Sequence, residues 1–252
     1  MKNKIIIIVA AILAVAAAAW GGYAFCTQIN IKDAELYALI PMYIVLLVLG
    51  AAISEMIHEG AHFLVGACCS MGVKPPKLRL FKSSSVDIYP NGKRAMKLRF
   101  ILTAGAGLFF DLLLIALGVI SAIAPSVPVL FCIFMPYALY QFIVNIAPVE
   151  YSGGKTDGLV LWEVITNKPT AQVMLTVLRI QGMVRSGMRL KEIEESTFLD
   201  VPQLPEDDIN FIILTQLRYE YYLDVGNDPE AYKYFVRYRD LIQYLPSEYT
   251  EK

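Results

Sequence analysis

The sequence predicts an all-α polytopic membrane protein with about four transmembrane helices, a short β-hairpin-like cytoplasmic loop and a C-terminal cytosolic α-helical domain. Hydrophobic residues make up 56% of the 252 residues and charged residues only 18%, and the mean hydropathy is +0.51. A chain this apolar is not a typical soluble domain. Several of its apolar runs are also long enough to cross a bilayer. These runs cover about residues 5–25, 37–67, 100–124 and 127–146.

The first run follows Lys2 and Lys4 and is unbroken over residues 5–25. It has the length of a membrane anchor, although the small residues 16–19 would also suit cleavage of a signal peptide. Phe25 before Cys26 fits a lipoprotein cleavage site poorly. We therefore favour an uncleaved anchor, and both interpretations place residues 27–36 outside the cytoplasm.

The segment between the second and third runs is strongly basic. Residues 72–99 contain eight lysines and arginines against a single acid, Asp87. The positive-inside rule therefore places this loop, and with it the N-terminus of the chain, on the cytoplasmic side. Within the loop, residues 77–81 and 85–89 partly alternate apolar and polar side chains and are flanked by proline and Asn-Gly turn signals. This pattern predicts two short strands that form a hairpin at the membrane surface.

The last third of the chain loses its membrane character. After the fourth run, Pro148 ends a helix near the membrane surface, and a flexible loop follows. Residues 166–252 are then predicted to form a series of amphipathic helices. The last two, at about 206–225 and 229–245, form a helical hairpin. Its tyrosines at helical spacing resemble a tetratricopeptide-type repeat, although one pair is not an array. Such a stripe is more typical of a core than of a binding groove.

The pattern His58-Glu59-Gly60-Ala61-His62 lies within the second apolar run and contains the only two histidines of the chain. On a helix, positions four apart share one face, so both imidazoles can bind one metal ion. Glu59 is then placed to take a proton from a metal-bound water. Ionisable groups at membrane depth cost several kcal/mol unless they have a partner, which favours a metal site over a structural polar cluster.

Two further acids lie in the apolar runs. Glu55 precedes His58 by three residues, so it either orients an imidazole or is an acid near the water boundary. Asp111 is the only charge in the third run and requires a partner at the active site or on a facing helix. The four cysteines have no zinc-ribbon spacing, and we interpret them as small hydrophobic residues.

Two motifs resemble those of the site-2 protease family of intramembrane zinc metalloproteases. The first is the His58–His62 pattern inside a membrane helix. The second is Asn145-x-x-Pro148 followed by Asp157-Gly158, which is similar to the N-P-D-G signature of that family. The small residues 104–107 also resemble a family segment, although Asp111 falls where asparagine is commoner. The resemblance covers about residues 37–165 and leaves out the C-terminal helices.

This resemblance implies one zinc ion per chain, held by His58, His62 and Asp157, with Glu59 as the general base. A catalytic zinc takes three protein ligands and keeps one position open, which agrees with that set. The predicted topology also brings the ends of the second and fourth spans to the same side of the membrane.

The resemblance further implies that Asn145, in its motif with Pro148, holds a substrate strand or positions the loop. This chain departs from the family in the gap before Asp157, because residues 152–155 look inserted. Glu150 is therefore a rival third ligand. We favour Asp157 because Asp-Gly follows the family pattern and Gly158 permits a tight turn.

The sequence therefore predicts a zinc-dependent intramembrane endopeptidase that hydrolyses peptide bonds of transmembrane or membrane-anchored peptide substrates. The family suggests regulated proteolysis, signal-peptide remnants or peptide-pheromone precursors. The alternative is a non-proteolytic membrane-anchored scaffold or receptor whose C-terminal domain binds a cytosolic protein partner. A zinc transporter would need more intramembrane ligands than this chain has.

The predicted location is the lipid bilayer of the cell membrane, crossed several times, with the N-terminus, the active-site end and the C-terminal domain on the cytoplasmic side. The net charge of −1 gives no indication of a nucleic-acid partner. The predicted division is an N-terminal anchor with its external loop (1–36), a membrane-embedded protease core (37–165) and a cytosolic helical domain (166–252).

Overall fold

Long helices dominate the fold. The computed structural model describes residues 2–29, 36–73, 88–90, 96–151 and 154–244, and these are mostly helical. Among them, four helical segments are long and apolar enough to cross a membrane. The prediction of a membrane protein with about four transmembrane helices is confirmed at that level. The four segments are Asn3–Ile29, Leu39–Cys68, Met96–Ile123 and Val129–Ile146.

The long helices follow the predicted order along the chain, whereas the β3–β4 pair forms in a segment predicted to be a flexible loop. The first four helices are α1 (Lys2–Ile29), α2 (Leu36–Cys68), α3 (Met96–Ile123) and α4 (Met135–Ile146), the last entered through a 3-10 turn at Val129–Ile133. They are followed by α5 (Asp157–Ile165), α6 (Pro169–Arg185), α7 (Ser196–Leu199), α8 (Ile209–Val225) and α9 (Asp228–Leu241), with 3-10 turns at Leu190–Glu192 and Ile242–Tyr244. Two short antiparallel pairs join β1 (Met71–Val73) to β2 (Ile88–Pro90), and β3 (Glu150–Tyr151) to β4 (Gly154–Lys155).

The predicted loop hairpin is only partly covered by the described residues. The second predicted strand, 85–89, overlaps β2 at Ile88 and Tyr89. Its partner β1 directly follows α2, where three residues are too few for a recognisable alternation. The first predicted strand, 77–81, and most of the basic loop fall at 74–87 and 91–95, outside the described residues.

The chain folds as two compact units. The first contains α1, α2, α4 and the part of α3 from Leu102 onward. Two of its polar side chains bond to main-chain carbonyls of neighbouring elements. Tyr43 on α2 donates its hydroxyl to the Ala18 carbonyl of α1 at 2.9 Å, and Asn3 at the start of α1 donates its amide to the Glu150 carbonyl at 2.7 Å. Gly21, near the other end of α1, lies against Cys132 just before α4, so α1 and α4 run in opposite directions.

The second unit contains the β1–β2 pair and α6 to α9. Helix α8 is capped at its N-terminus by Asp208, whose carboxylate accepts hydrogen bonds from the main-chain N–H groups of Asn210 and Phe211. At its C-terminus it is capped by Gly226, which adopts the left-handed conformation. The helical hairpin that this turn forms with α9 agrees with the sequence prediction.

The predicted tyrosine stripe belongs largely to the core of the second unit. The ring of Tyr222 is buried and stacks on that of Tyr234, with centroids 5.5 Å apart. Tyr219, Tyr234 and Tyr238 pack against the same core from its edge. The stripe therefore holds α8 and α9 together, and the likeness to a tetratricopeptide repeat stays a prediction.

Candidate metal centre

Three ligand atoms converge where α2 meets the start of α5. The Nε2 atoms of His58 and His62 lie 3.3 Å apart, and each lies 3.4 Å from Oδ2 of Asp157. The two imidazoles share a face because they are four residues apart on one continuous helix. Among the described residues, this is the group that could hold a metal ion.

Helix α3 orients both imidazoles. Nδ1–H of His58 donates to Oδ2 of Asp111 at 2.8 Å, and Nδ1–H of His62 donates to the main-chain carbonyl of Thr103 at 2.7 Å. Asp111 is 0% exposed and His58 is 2% exposed. Because each Nδ1–H is donated to α3, Nε2 is the ring nitrogen that faces Asp157 and is left to bind a metal.

The three ligand atoms have the spacing that zinc requires. With zinc bonds of about 2.0–2.1 Å, tetrahedral ligands lie about 3.3–3.4 Å from one another. The observed separations of 3.3 and 3.4 Å match this value. Two imidazoles and one carboxylate are also a common set for a catalytic zinc that keeps an open position. The residues therefore fit the metal that the sequence predicts, although other divalent ions accept the same donors.

A glycine of α3 leaves room for the imidazoles. A Cβ added at Gly107 would lie 2.5 Å from Nε2 of His62 and 2.6 Å from Nε2 of His58. Helix α3 therefore brings bare main chain against the ligand atoms, and any side chain at this position would occupy that space. Of the small residues at 104–107, Gly107 serves this close approach.

The third ligand is positioned by the junction between α4 and α5. The hydroxyl of Thr156 donates to the carbonyl of Ala147 at 2.6 Å and accepts from the N–H of Leu159 at 3.2 Å, so Thr156 ties the two helices and caps α5. Gly158 was expected to permit a tight turn, but it lies in the first turn of α5. It is needed there because a Cβ would overlap the carbonyl of Ile146.

Asp157 is a carboxylate ready to bind a cation. Burial would raise the pKa of this carboxyl, but in the metal-free protein the imidazoles of His58 and His62 can carry protons on the atoms that face it, and these contacts outweigh burial and hold the pKa below its ordinary range. Asp157 is therefore ionised at neutral pH, which is the form that ligates metals.

Glu59 lies beside the ligand group but is not part of it. Its side chain is largely buried and lines a cleft of about 960 Å³ that α1, α2 and α4 enclose. Asn145 of α4 lines the same cleft, and the helix ends at Ile146, before Pro148. A carboxylate next to the metal ligands and open to a cleft can exchange a proton with water or substrate there.

The other predicted acids have different surroundings. Glu55 accepts a hydrogen bond from the hydroxyl of Tyr137, and both imidazole Nδ1 atoms are already bonded elsewhere, so Glu55 does not orient an imidazole. Glu150, the rival ligand, is an exposed residue of β3 and is not part of the group. Sequence reasoning missed the role of Thr103, because it acts through a carbonyl that every residue has.

Comparisons of the chain with protein-family models, with curated proteins and with solved structures gave no match. The interpretation of the site therefore rests on its residues and their geometry.

Gly107→Ala is expected to weaken zinc binding at least tenfold, because the added methyl group would occupy the space beside both Nε2 atoms. Gly105→Ala is the matched control on the same helix, since its Cβ would meet only Leu161, at an ordinary 4.0 Å. Zinc per chain, measured by mass spectrometry at limiting zinc, compares the two variants. Equal zinc content would contradict the close approach of α3.

Asp111→Leu is expected to lower zinc affinity by about 10–100-fold, because His58 would lose the acceptor that holds its ring. Asp111→Asn retains a side-chain oxygen that can accept from Nδ1–H, so a smaller loss is expected. Competition with a zinc-chelating dye measures both affinities. If the two variants bind zinc equally, the hydrogen bond to His58 does not orient the ligand.

Proposed function

We propose that this chain is a zinc-dependent intramembrane endopeptidase, similar to the site-2 proteases, that hydrolyses peptide bonds of membrane-embedded or membrane-anchored substrates. One observation carries the proposal. The ligand atoms of His58, His62 and Asp157 lie 3.3–3.4 Å apart at the end of a helix with the length and apolarity of a membrane span. Beside them, Glu59 faces an apolar cleft.

The ligand set and Glu59 divide the chemistry between them. When bound, zinc would polarise the scissile carbonyl and lower the pKa of water, so that the water can lose a proton and attack near neutral pH. Glu59 accepts the proton of the attacking water and passes it to the leaving amine. Asp111 and Thr103 hold the two imidazoles still, so the ligands keep their arrangement while the substrate changes. Asn145 faces the cleft with an amide that can bond to a substrate strand.

Geometry and charge together support the proposed sidedness of the site. Asp157 begins the helix that is tied to the end of α4, and it contacts His62 near the end of α2. The ends of α2 and α4 therefore lie at one face of the helical unit. The basic residues of the segment after α2 support a cytoplasmic location of that face by the positive-inside rule. The proposed location is thus the cell membrane, with hydrolysis near its cytoplasmic surface.

The scaffold alternative makes no use of the metal ligands. It does not explain why three ligand atoms lie 3.3–3.4 Å apart, or why hydrogen bonds orient both imidazoles. We therefore favour the enzyme, and a cytosolic partner of the C-terminal helices stays a prediction.

The proposal is tested in membranes that contain the protein, incubated with and without a zinc chelator. New peptide termini are identified by mass spectrometry and compared with those from membranes that lack the chain. We expect termini inside or beside apolar segments that form only without chelator. If the termini are the same in all three samples, the chain is not a zinc protease.

A further inference from the structure

Two carboxylates line the cleft, one turn apart on the same face of α2. They belong to Glu55 and Glu59, which are only 7% and 8% exposed. Glu55 lies about 6 Å farther from the C-terminal end of the helix. Glu59 is the proton acceptor of the proposed reaction, whereas Glu55 does not orient an imidazole and has no part in that reaction. A second acid in an apolar cleft is costly unless it has a favourable partner.

The carboxylate of Glu55 is only half satisfied. Its Oε2 accepts a hydrogen bond from the hydroxyl of Tyr137, which leaves Oε1 without a partner among the described residues. Oε1 of Glu55 is not one of the unpaired atoms that are shielded from solvent, so a ligand in the cleft can reach it. Oε1 of Gln141 and the hydroxyl oxygen of Tyr151 also lack a partner, but both are shielded. Glu55 therefore offers a ligand an acceptor that those two groups do not.

The balance of charge favours a cation beside Glu55. The carboxylates of Asp157 and Asp111, which both contact His58, would together neutralise a bound dication. Those of Glu55 and Glu59 then remain uncompensated, because neither forms an ion pair with a described residue. The basic residue of the described lining is exposed on β4, at position 155. A buried charge is costly without an opposite charge, so the missing partner is a positive group that arrives with the ligand.

Two aromatic rings of α4 line the cleft next to this carboxylate. Tyr137, which bonds to Glu55, and Tyr140 both belong to the lining, and their ring centroids lie 6.1 Å apart. Tyrosine rings attract ammonium and guanidinium groups to their faces. A carboxylate beside two such rings therefore suits the end of a lysine or arginine side chain. The alkyl stem of that side chain can pack on the apolar walls.

From these observations we propose that Glu55 binds a lysine or arginine side chain of the substrate and so selects basic residues near the scissile bond. The proposal rests on the proposed function and deepens it by naming a specificity-determining residue. One helical turn corresponds to about two residues of an extended chain, so the basic residue is expected within about three residues of the scissile bond. Membrane-anchored segments carry lysine and arginine at their cytoplasmic ends, so substrates of the proposed class supply such a residue.

The test measures peptide binding rather than cleavage. The parent protein is the full chain carrying Glu59→Gln, purified in detergent with zinc, because this substitution slows hydrolysis and removes the other carboxylate of the lining. The probe is a fluorescent peptide of about 20 leucine and alanine residues with uncharged polar ends and a single lysine at its centre. We expect it to bind about tenfold more tightly than a peptide with norleucine, an uncharged residue of similar shape, at that position.

Substitutions in the parent then assign the preference to one residue. Glu55→Gln should abolish it, because the amide is uncharged although its carbonyl can still accept from Tyr137. Glu55→Lys should instead favour a peptide with glutamate at its centre. Glu150→Gln is the matched control and should keep the preference for lysine, since Glu150 is an exposed acid outside the cleft lining. Zinc content, measured in every variant, shows that the metal site is intact.

Equal binding of the lysine and norleucine peptides by the parent, binding of neither, or a preference for lysine that persists in Glu55→Gln would each overturn the proposal. The same measurements separate it from the proposed function. A preference that depends on Glu55, without chelator-sensitive cleavage in membranes, would keep the cation site and reject the protease. Chelator-sensitive cleavage at sites without a nearby lysine or arginine would keep the protease and reject the role of Glu55.

Discussion

Asp157→Ala is expected to remove zinc from the purified protein, reducing it from about one ion per chain to a trace. The substitution takes away the one charged ligand and leaves two neutral imidazoles, which hold zinc weakly compared with a three-ligand site. His58→Ala should have the same effect, because it removes another of the three atoms that lie 3.3–3.4 Å apart. Mass spectrometry of detergent-purified protein, prepared with zinc present and then dialysed, measures the content.

Glu150→Ala is the matched control for Asp157→Ala. Both acids lie at the junction between α4 and α5, but Glu150 is exposed on β3, and its main-chain carbonyl rather than its side chain is bonded to Asn3. The zinc content of Glu150→Ala should equal that of the unaltered protein. If zinc is lost from Glu150→Ala and kept in Asp157→Ala, the third ligand is Glu150, and the geometry described above is contradicted.

The sequence was informative where one local pattern determines the outcome. Two histidines four apart on a long apolar helix must share a face, so their pairing needed no knowledge of the fold. The four membrane-length runs were visible for the same reason, since length and apolarity are local properties. The end of α4 before Pro148 also follows from the missing N–H of proline.

Other features depend on contacts between distant parts of the chain. The carbonyl of Thr103 and the bare main chain at Gly107 act through atoms that carry no residue signature. Gly158 was expected in a turn but serves a close helix contact, because its neighbour Thr156 caps α5 and extends the helix to Asp157. The unpaired state of Gln141 likewise becomes visible only when all neighbouring groups are in place.

The surroundings of position 111 also explain why an aspartate suits this chain. Its Oδ2 accepts from His58, while its Oδ1 has no partner among the described residues. An uncompensated carboxylate at such depth is costly, and a nearby dication would offset much of that cost. The metal ligands and Asp111 therefore depend on one another, so an assay of zinc content tests both.

Glu59→Gln is expected to lower the rate of hydrolysis by about a thousandfold while leaving zinc content unchanged. The amide has nearly the shape of the carboxylate but cannot accept a proton, and general-base catalysis contributes about 10²–10⁴-fold. Zinc should remain because Glu59 is not among the three ligands. The rate is measured on a chelator-sensitive cleavage identified in membranes, and zinc is measured in the same preparations.

Glu55→Gln is the informative comparison, because Glu55 is also a largely buried carboxylate that lines the same cleft, one turn earlier on α2. Its carboxylate accepts from the hydroxyl of Tyr137, a bond that a glutamine carbonyl can still make, so a much smaller loss of rate is expected. Equal losses in the two variants, with zinc retained in both, would mean that the cleft needs two negative charges rather than one base. Loss of zinc from Glu59→Gln would instead indicate that Glu59 is part of the metal site, and this would contradict its role as the proton acceptor.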